Sequence, residues 1–131
     1  MTMLEEAIVK GHPTVRYWAT LAFGRMPNAD DELAIILTED ESMVVRIAAA
    51  QALVSEKRYR AYCLSILEQG LKDDDEWIRL QAATALDEIG EWARPVIPAM
   101  KEALGDKHNK YVVRVVNRAL NVLEGTSNQV R

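Results

Sequence analysis

Cys63 is the only thiol in the 131 residues. A reactive thiolate needs a nearby cation or a helix N-terminus to lower its pKa. Arg58 and Arg60 are close in sequence, but Arg58 is out of the three- or four-residue register that a helix would require. Cys63 therefore reads as a buried core cysteine. A lone cysteine also excludes an internal disulfide and a zinc site of the multi-cysteine kind. His12 and His108 sit in equivalent polar stretches near the two ends of the sequence. Ligation would require both to converge with carboxylates, so they read as exposed turn residues. The run Asp73-Asp74-Asp75-Glu76 has the acidity of a calcium loop, but no glycine-enabled bend with alternating oxygen ligands follows it. Carboxylates there are expected to cap a helix and complement its dipole. The side chains best able to anchor a partner are Tyr17, Trp18, Trp77 and Trp92, and the expectation for them is packing between helices. Pro95 and Pro98 suit a first helical turn, where a missing N–H costs least. No set of residues makes a catalytic, cofactor-binding or metal-ligating constellation, so none is predicted.

Composition narrows what could position these groups. Seventeen alanines and thirteen leucines, against six glycines and four prolines, favour helices over strands. Aromatic residues are 6% of the chain, too few for a β-sandwich core. High apolar content with a net charge of −4 argues against disorder. The acidic balance does not suit a nucleic-acid binder, which must neutralise phosphates. No apolar run reaches the roughly 20 residues of a membrane span. The start, MTMLEEAIVK, has acids where a signal peptide carries positive charge; the expectation is a soluble chain without an export signal.

Internal repeats organise the rest. Four segments align: VRYWATLAF from Val15, VRIAAAQAL from Val45, IRLQAATAL from Ile78 and VVRVVNRAL from Val112, at spacings of 30, 33 and 34. The first column is Val15, Val45, Ile78, Val112. Four residues on stand Ala19, Ala49, Ala82 and Val116; seven on, Ala22, Ala52, Ala85 and Ala119; eight on, Phe23, Leu53, Leu86 and Leu120. These offsets share one face of an α-helix, with alanine at the waist to admit a close neighbour. A weaker helix precedes each, marked by Leu4/Ile8, Leu33/Leu37, Leu67/Leu71 and Met100/Leu104. The polar stretches between supply cap candidates Thr14, Ser42, Asp74 and Asn109. The prediction is an all-α chain of four helical hairpins, about eight helices, stacked as an α-α superhelix. The hairpins span roughly 3–26, 30–55, 59–89 and 93–123, one domain over 1–123, with a polar tail over 124–131.

The Val/Ile-Arg pairs that open the second helices, Val15-Arg16, Val45-Arg46 and Ile78-Arg79, resemble HEAT repeats of the short kind found in proteins related to phycobilisome lyases. In the fourth unit Val113 fills the arginine slot. The resemblance implies an aspartate in the turn of each repeat bonded to such an arginine, building a ladder along the stack. Asp40 and Asp73, six residues before Arg46 and Arg79, match; Lys10 stands there in the first unit. Over roughly 11–123 the chain also resembles the HEAT-type domain that follows the catalytic domain in some bacterial sulfatases, through HPTVRYWATLAFGRM and WIRLQAATALDEIGEWARPVIPAMKEAL. The sulfatase Cys/Ser-x-Pro-x-Arg motif is missing, since Cys63 is followed by neither residue. That resemblance implies a non-catalytic C-terminal accessory domain of a larger, exported enzyme.

The terminal helices sharpen the expectation. From Tyr111 to Leu123 apolar residues spread beyond one face, and the first helix, Leu4 to Val9, is short. Exposed apolar surface marks interfaces, so the ends are expected to dock on protein: a catalytic domain, an adaptor's partner, or a second copy in a homodimer. The alternative to the accessory domain is a stand-alone adaptor that binds a protein or peptide. Nucleic-acid and membrane partners are not expected, nor is a cofactor.

Overall fold

The computed structural model describes residues 2–130. All regular structure among them is helical, in agreement with the all-α hairpin expectation. Eight α-helices run in order: α1 (Met3–Lys10), α2 (Pro13–Gly24), α3 (Asp30–Glu39), α4 (Met43–Leu53), α5 (Lys57–Leu71), α6 (Glu76–Ile89), α7 (Ile97–Ala103) and α8 (Lys110–Glu124). A 3₁₀ segment, Gly90–Val96, joins α6 to α7. The chain divides into two compact units, Met1–Cys63 and Leu64–Arg131.

Within the first unit α1 packs on α2, α3 on α4, and α2 on α4. Within the second, α6 and α7 both pack on α8, and the 3₁₀ segment lies against α6, α7 and α8. Each unit thus repeats one construction, the second helix of a hairpin resting on the second helix of the next. The columns at offsets four and eight are buried in all four copies: Ala19, Ala49, Ala82 and Val116, then Phe23, Leu53, Leu86 and Leu120. At the waist α2 and α4 approach closely: a side chain on Gly24 would begin 3.0 Å from the Ala52 Cβ. The opening column is less uniform. Val45 and Val112 are buried, Ile78 is half-buried, and Val15 is exposed. The start of α2 is covered by the short α1, which buries no side chain fully.

The caps depart from the sequence reading in two places. Helix α2 begins at Pro13 with His12 as its cap residue, because proline fits the first helical position and Thr14 is already inside. Helix α6 is capped by Asp75, one residue later than Asp74, with its carboxylate accepting from the Trp77 N–H at 2.8 Å. Ser42 and Asn109 hold the cap positions expected of them. Only Asn109 uses its side chain, accepting from the N–H groups of Tyr111 and Val112. Pro98 stands in the first turn of α7, whereas Pro95 lies in the 3₁₀ segment, so the α-helix starts four residues later than the repeat pattern implied. Gly90 makes that turn at φ 63°, ψ −128°, a region essentially closed to other residues. Beyond α8, residues 125–128 turn back, and the Asn128 carbonyl accepts from Asn117 and Asn121.

The close approach at Gly24 makes Ala52→Leu a test of the alanine waist. Overpacking there is expected to cost about 1–3 kcal/mol, read as a lower urea midpoint. The same change at exposed Ala61 should stay within about 0.5 kcal/mol of the parent.

Candidate interaction surface

The arginines that open the second helices hold the turns from which any surface is built. Arg16, on α2, donates through Nη1 to the Gly11 carbonyl at 2.8 Å, closing its own turn. Its Nε and Nη2 reach Asp40 at 2.9 and 3.3 Å, in the turn between α3 and α4. Arg79 repeats the arrangement. Nη1 takes the Asp73 and Asp74 carbonyls, and Nε and Nη2 take the Asp106 carboxylate at 2.7 and 3.4 Å. The side chains of both aspartates are almost fully enclosed, and those of both arginines largely so.

The expected pairing within a repeat is therefore corrected. Asp40 serves Arg16 of the preceding hairpin, not Arg46, which instead donates to the Leu37 carbonyl and the Tyr62 hydroxyl. Asp73 offers Arg79 its main-chain carbonyl and uses its carboxylate on the Asp75 N–H. A guanidinium has donors for both jobs, so it fastens its own turn and the next one together. Asp106 was not picked out from the sequence because its turn is one residue longer. Its recognisable signal is the aspartate two or three residues before each cap: Asp40 before Ser42, Asp73 before Asp75, Asp106 before Asn109. Each of the three accepts the N–H two residues on, at 2.8 to 2.9 Å.

Arg79 and the N–H groups of Asn109 and His108 hold the Asp106 carboxyl below the ordinary aspartate range, against the opposing effect of burial. The same bond raises the Arg79 guanidinium.

The remaining sequence candidates fall as follows. Cys63 is fully buried, and desolvation pushes its thiol up to about 12. Arg60 is turned toward the Val54 and Ser55 carbonyls. His12 caps α2 and His108 lies exposed in the turn before α8. Among the described residues no group of three or more histidine, cysteine or acidic side chains could hold a metal ion. The 73–76 run acts in capping and turn closure.

The tryptophans overturn the packing expectation. Trp18 is 64% exposed and Trp77 62% exposed, and Trp92 is exposed as well. Offset three lies at the margin of the apolar face. The small Ala48 fits inside there, while the larger indole of Trp18 projects outward, edge-on to Tyr17 at 5.5 Å. Trp77 and Tyr111 hold the same place in successive second helices, one residue before the opening column, and Tyr111 is 48% exposed. Both line one surface cleft of about 360 Å³ with Glu76, Lys107, His108, Asn109 and Lys110. Lys110 and Arg114 stand 5.5 and 5.7 Å from the Tyr111 ring.

A second opening lies between the first and second hairpins. Ile8 and Val9 of α1, Phe23 of α2, and Ile35 and Ile36 of α3 line an apolar groove of about 250 Å³, with Glu5 and Glu32 at its side. A neighbouring hollow shares Ile8 and Val9 and adds Glu39 and Glu41 beside the Arg16–Asp40 pair.

The sequence profile of HEAT repeats matches residues 31–121. No curated protein matches the chain at a significant level.

The buried pair and the buried thiol have measurable consequences. Asp106 has a native pKa below its unfolded value of about 3.9. Its stabilising contribution is therefore present above that value and lost as pH falls through the lower native one. Asp106→Asn should be less stable than the parent at pH 7 and lose less on acidification from pH 5 to pH 2. Arg79→Ala and Asp106→Ala should each cost about 2–4 kcal/mol, with the double variant well short of the sum. Cys63 should resist an aromatic disulfide reagent at pH 8 until the chain is unfolded in denaturant.

Proposed function

The chain belongs to the HEAT-repeat family, and from that membership we propose that it is a non-catalytic interaction module that binds a protein partner. The observation that carries the reading is the pair of exposed aromatic side chains, Trp77 and Tyr111, flanking one cleft. Exposing an indole and a phenol on adjacent helices leaves apolar area in water that a partner can cover, and such residues dominate binding energy where they are buried. Lys107, Lys110 and Glu76 around them supply the polar rim that sets orientation. The buried Cys63 thiol is held protonated and enclosed.

Two settings fit such a module. In one it flanks the catalytic domain of a sulfatase-like hydrolase, a reading that rests on the VRYWA and ARPVIPAM runs and on exposed apolar residues of the terminal helices, Met3, Val9 and Val122. In the other it is a stand-alone adaptor. A reading frame that continues upstream through a Cys/Ser-x-Pro-x-Arg motif decides for the first. No helix among the described residues is long and apolar enough to cross a membrane, and the acidic balance makes protein, not nucleic acid, the expected partner.

The double variant Trp77→Ala/Tyr111→Ala tests the reading. Both side chains are largely exposed, so the fold should persist, as shown by an unchanged helical circular dichroism spectrum. Affinity for a partner captured by the parent chain should fall at least about 30-fold, the equivalent of one strong anchor. Capture of the same partner with undiminished affinity would count against this surface.

A further inference from the structure

We propose that the groove between the first and second hairpins receives a basic segment of a partner protein, one apolar side chain entering between α1 and α3 while lysine or arginine residues beside it meet the surrounding carboxylates. The inference rests on the interaction-module reading and goes beyond it by naming a second surface and the chemistry of its occupant.

Three observations converge on this place. The groove is apolar and sized for a side chain, at about 250 Å³, and its edges remain in water: Val9 is 67% exposed and Ile35 56% exposed. The carboxylates around it and the adjoining hollow are all of one sign. Glu5, Glu32, Glu39 and Glu41 have no ion pair among the described residues, and the one cation lining the two openings, Arg16, is committed to Asp40 and Gly11. The third is Glu32 itself, whose Oε2 is enclosed with no hydrogen-bond donor. An enclosed carboxylate oxygen without a donor is costly. A cation laid against that carboxylate from the groove compensates its charge even though Oε2 remains covered.

These features select the occupant. A purely apolar segment would bury the groove while leaving four like charges uncompensated at its rim. An acidic segment would be repelled, because like-charge juxtaposition is strongly unfavourable at an interface. A small polycation satisfies the carboxylates but leaves Ile8, Val9 and Ile35 in contact with water. A peptide that carries both kinds of side chain answers both demands, and α1, which buries none of its side chains fully, can adjust to admit it.

The experiment uses the full chain and two synthetic twelve-residue amphipathic peptides, one of leucine and lysine, the other of leucine and glutamate, followed by fluorescence anisotropy. The lysine peptide is expected to bind and the glutamate peptide not. The Glu39→Lys/Glu41→Lys variant should weaken binding at least 10-fold, and Ile35→Ser at least 5-fold. The same charge change in the second unit, Asp74→Lys/Glu102→Lys, should leave it within 2-fold. Equal loss in the two charge-reversed variants would mean diffuse attraction and would overturn the proposal. So would equal binding of both peptides, or binding of neither. A concentration-dependent dimer in sedimentation velocity, abolished by Glu39→Lys/Glu41→Lys, would also overturn it by assigning the groove to a second copy. None of these results touches the Trp77/Tyr111 cleft, whose own variant decides the broader reading separately.

Discussion

The bonds of Arg16 and Arg79 set the condition on which the hairpins depend. Each guanidinium divides its donors between the main-chain carbonyls of its own turn and the carboxylate of the following turn. The receiving aspartate in turn closes its own turn by accepting the N–H two residues ahead. Turn shape and hairpin stacking are therefore one structure, because a carboxylate positioned for the arginine is also the group that bends the chain. Taking both charges out of water is costly unless the remaining donors and acceptors are used. Here Asp106 is met by two main-chain N–H groups as well as by Arg79, which is what makes burial tolerable.

Two positions depart from the repeated pattern: Lys10 stands in the first turn where the later turns carry aspartate, and Val113 stands in the fourth second helix where the others carry arginine. Arg16 uses the Gly11 carbonyl just as Arg79 uses those of Asp73 and Asp74, and its bond to Asp40 does not involve the residue at position 10.

The apolar columns were legible because helical periodicity reports burial directly: offsets four and eight are buried in every copy. The pairing was not, because spacing along the chain cannot say which hairpin an aspartate faces. Six residues separate Asp40 from Arg46, yet its partner is 24 residues away. Asp106 escaped because one added residue displaced it from the aligned position. The aromatic surface was misread for a different reason. Trp18 and Ala48 occupy the same register, but at the edge of an apolar face side-chain volume decides between inside and outside, and periodicity carries no volume. Cys63 was legible from its apolar helical register; Arg60, three residues before it, is turned to the Val54 and Ser55 carbonyls, and burial keeps the thiol inert.

With turns and core held by the columns and the arginine bonds, the margins of the second helices are free to carry recognition. Position 77 and position 111 need only leave the preceding cap undisturbed, and Asp75 and Asn109 make those caps by accepting from the main-chain N–H groups of these positions, not from their side chains. A bulky ring there interferes with neither. The same freedom holds for the acidic residues of the second hairpin's turn. Glu39 and Glu41 flank Asp40 without sharing its partner, so they add negative charge beside a bond that already consumes the local cation. A surface of uncompensated carboxylates next to exposed isoleucine and valine contributes nothing to the turn it borders. Its carboxylates have no ion pair among the described residues and its apolar edge stays in water, the two features to which the proposed basic segment answers.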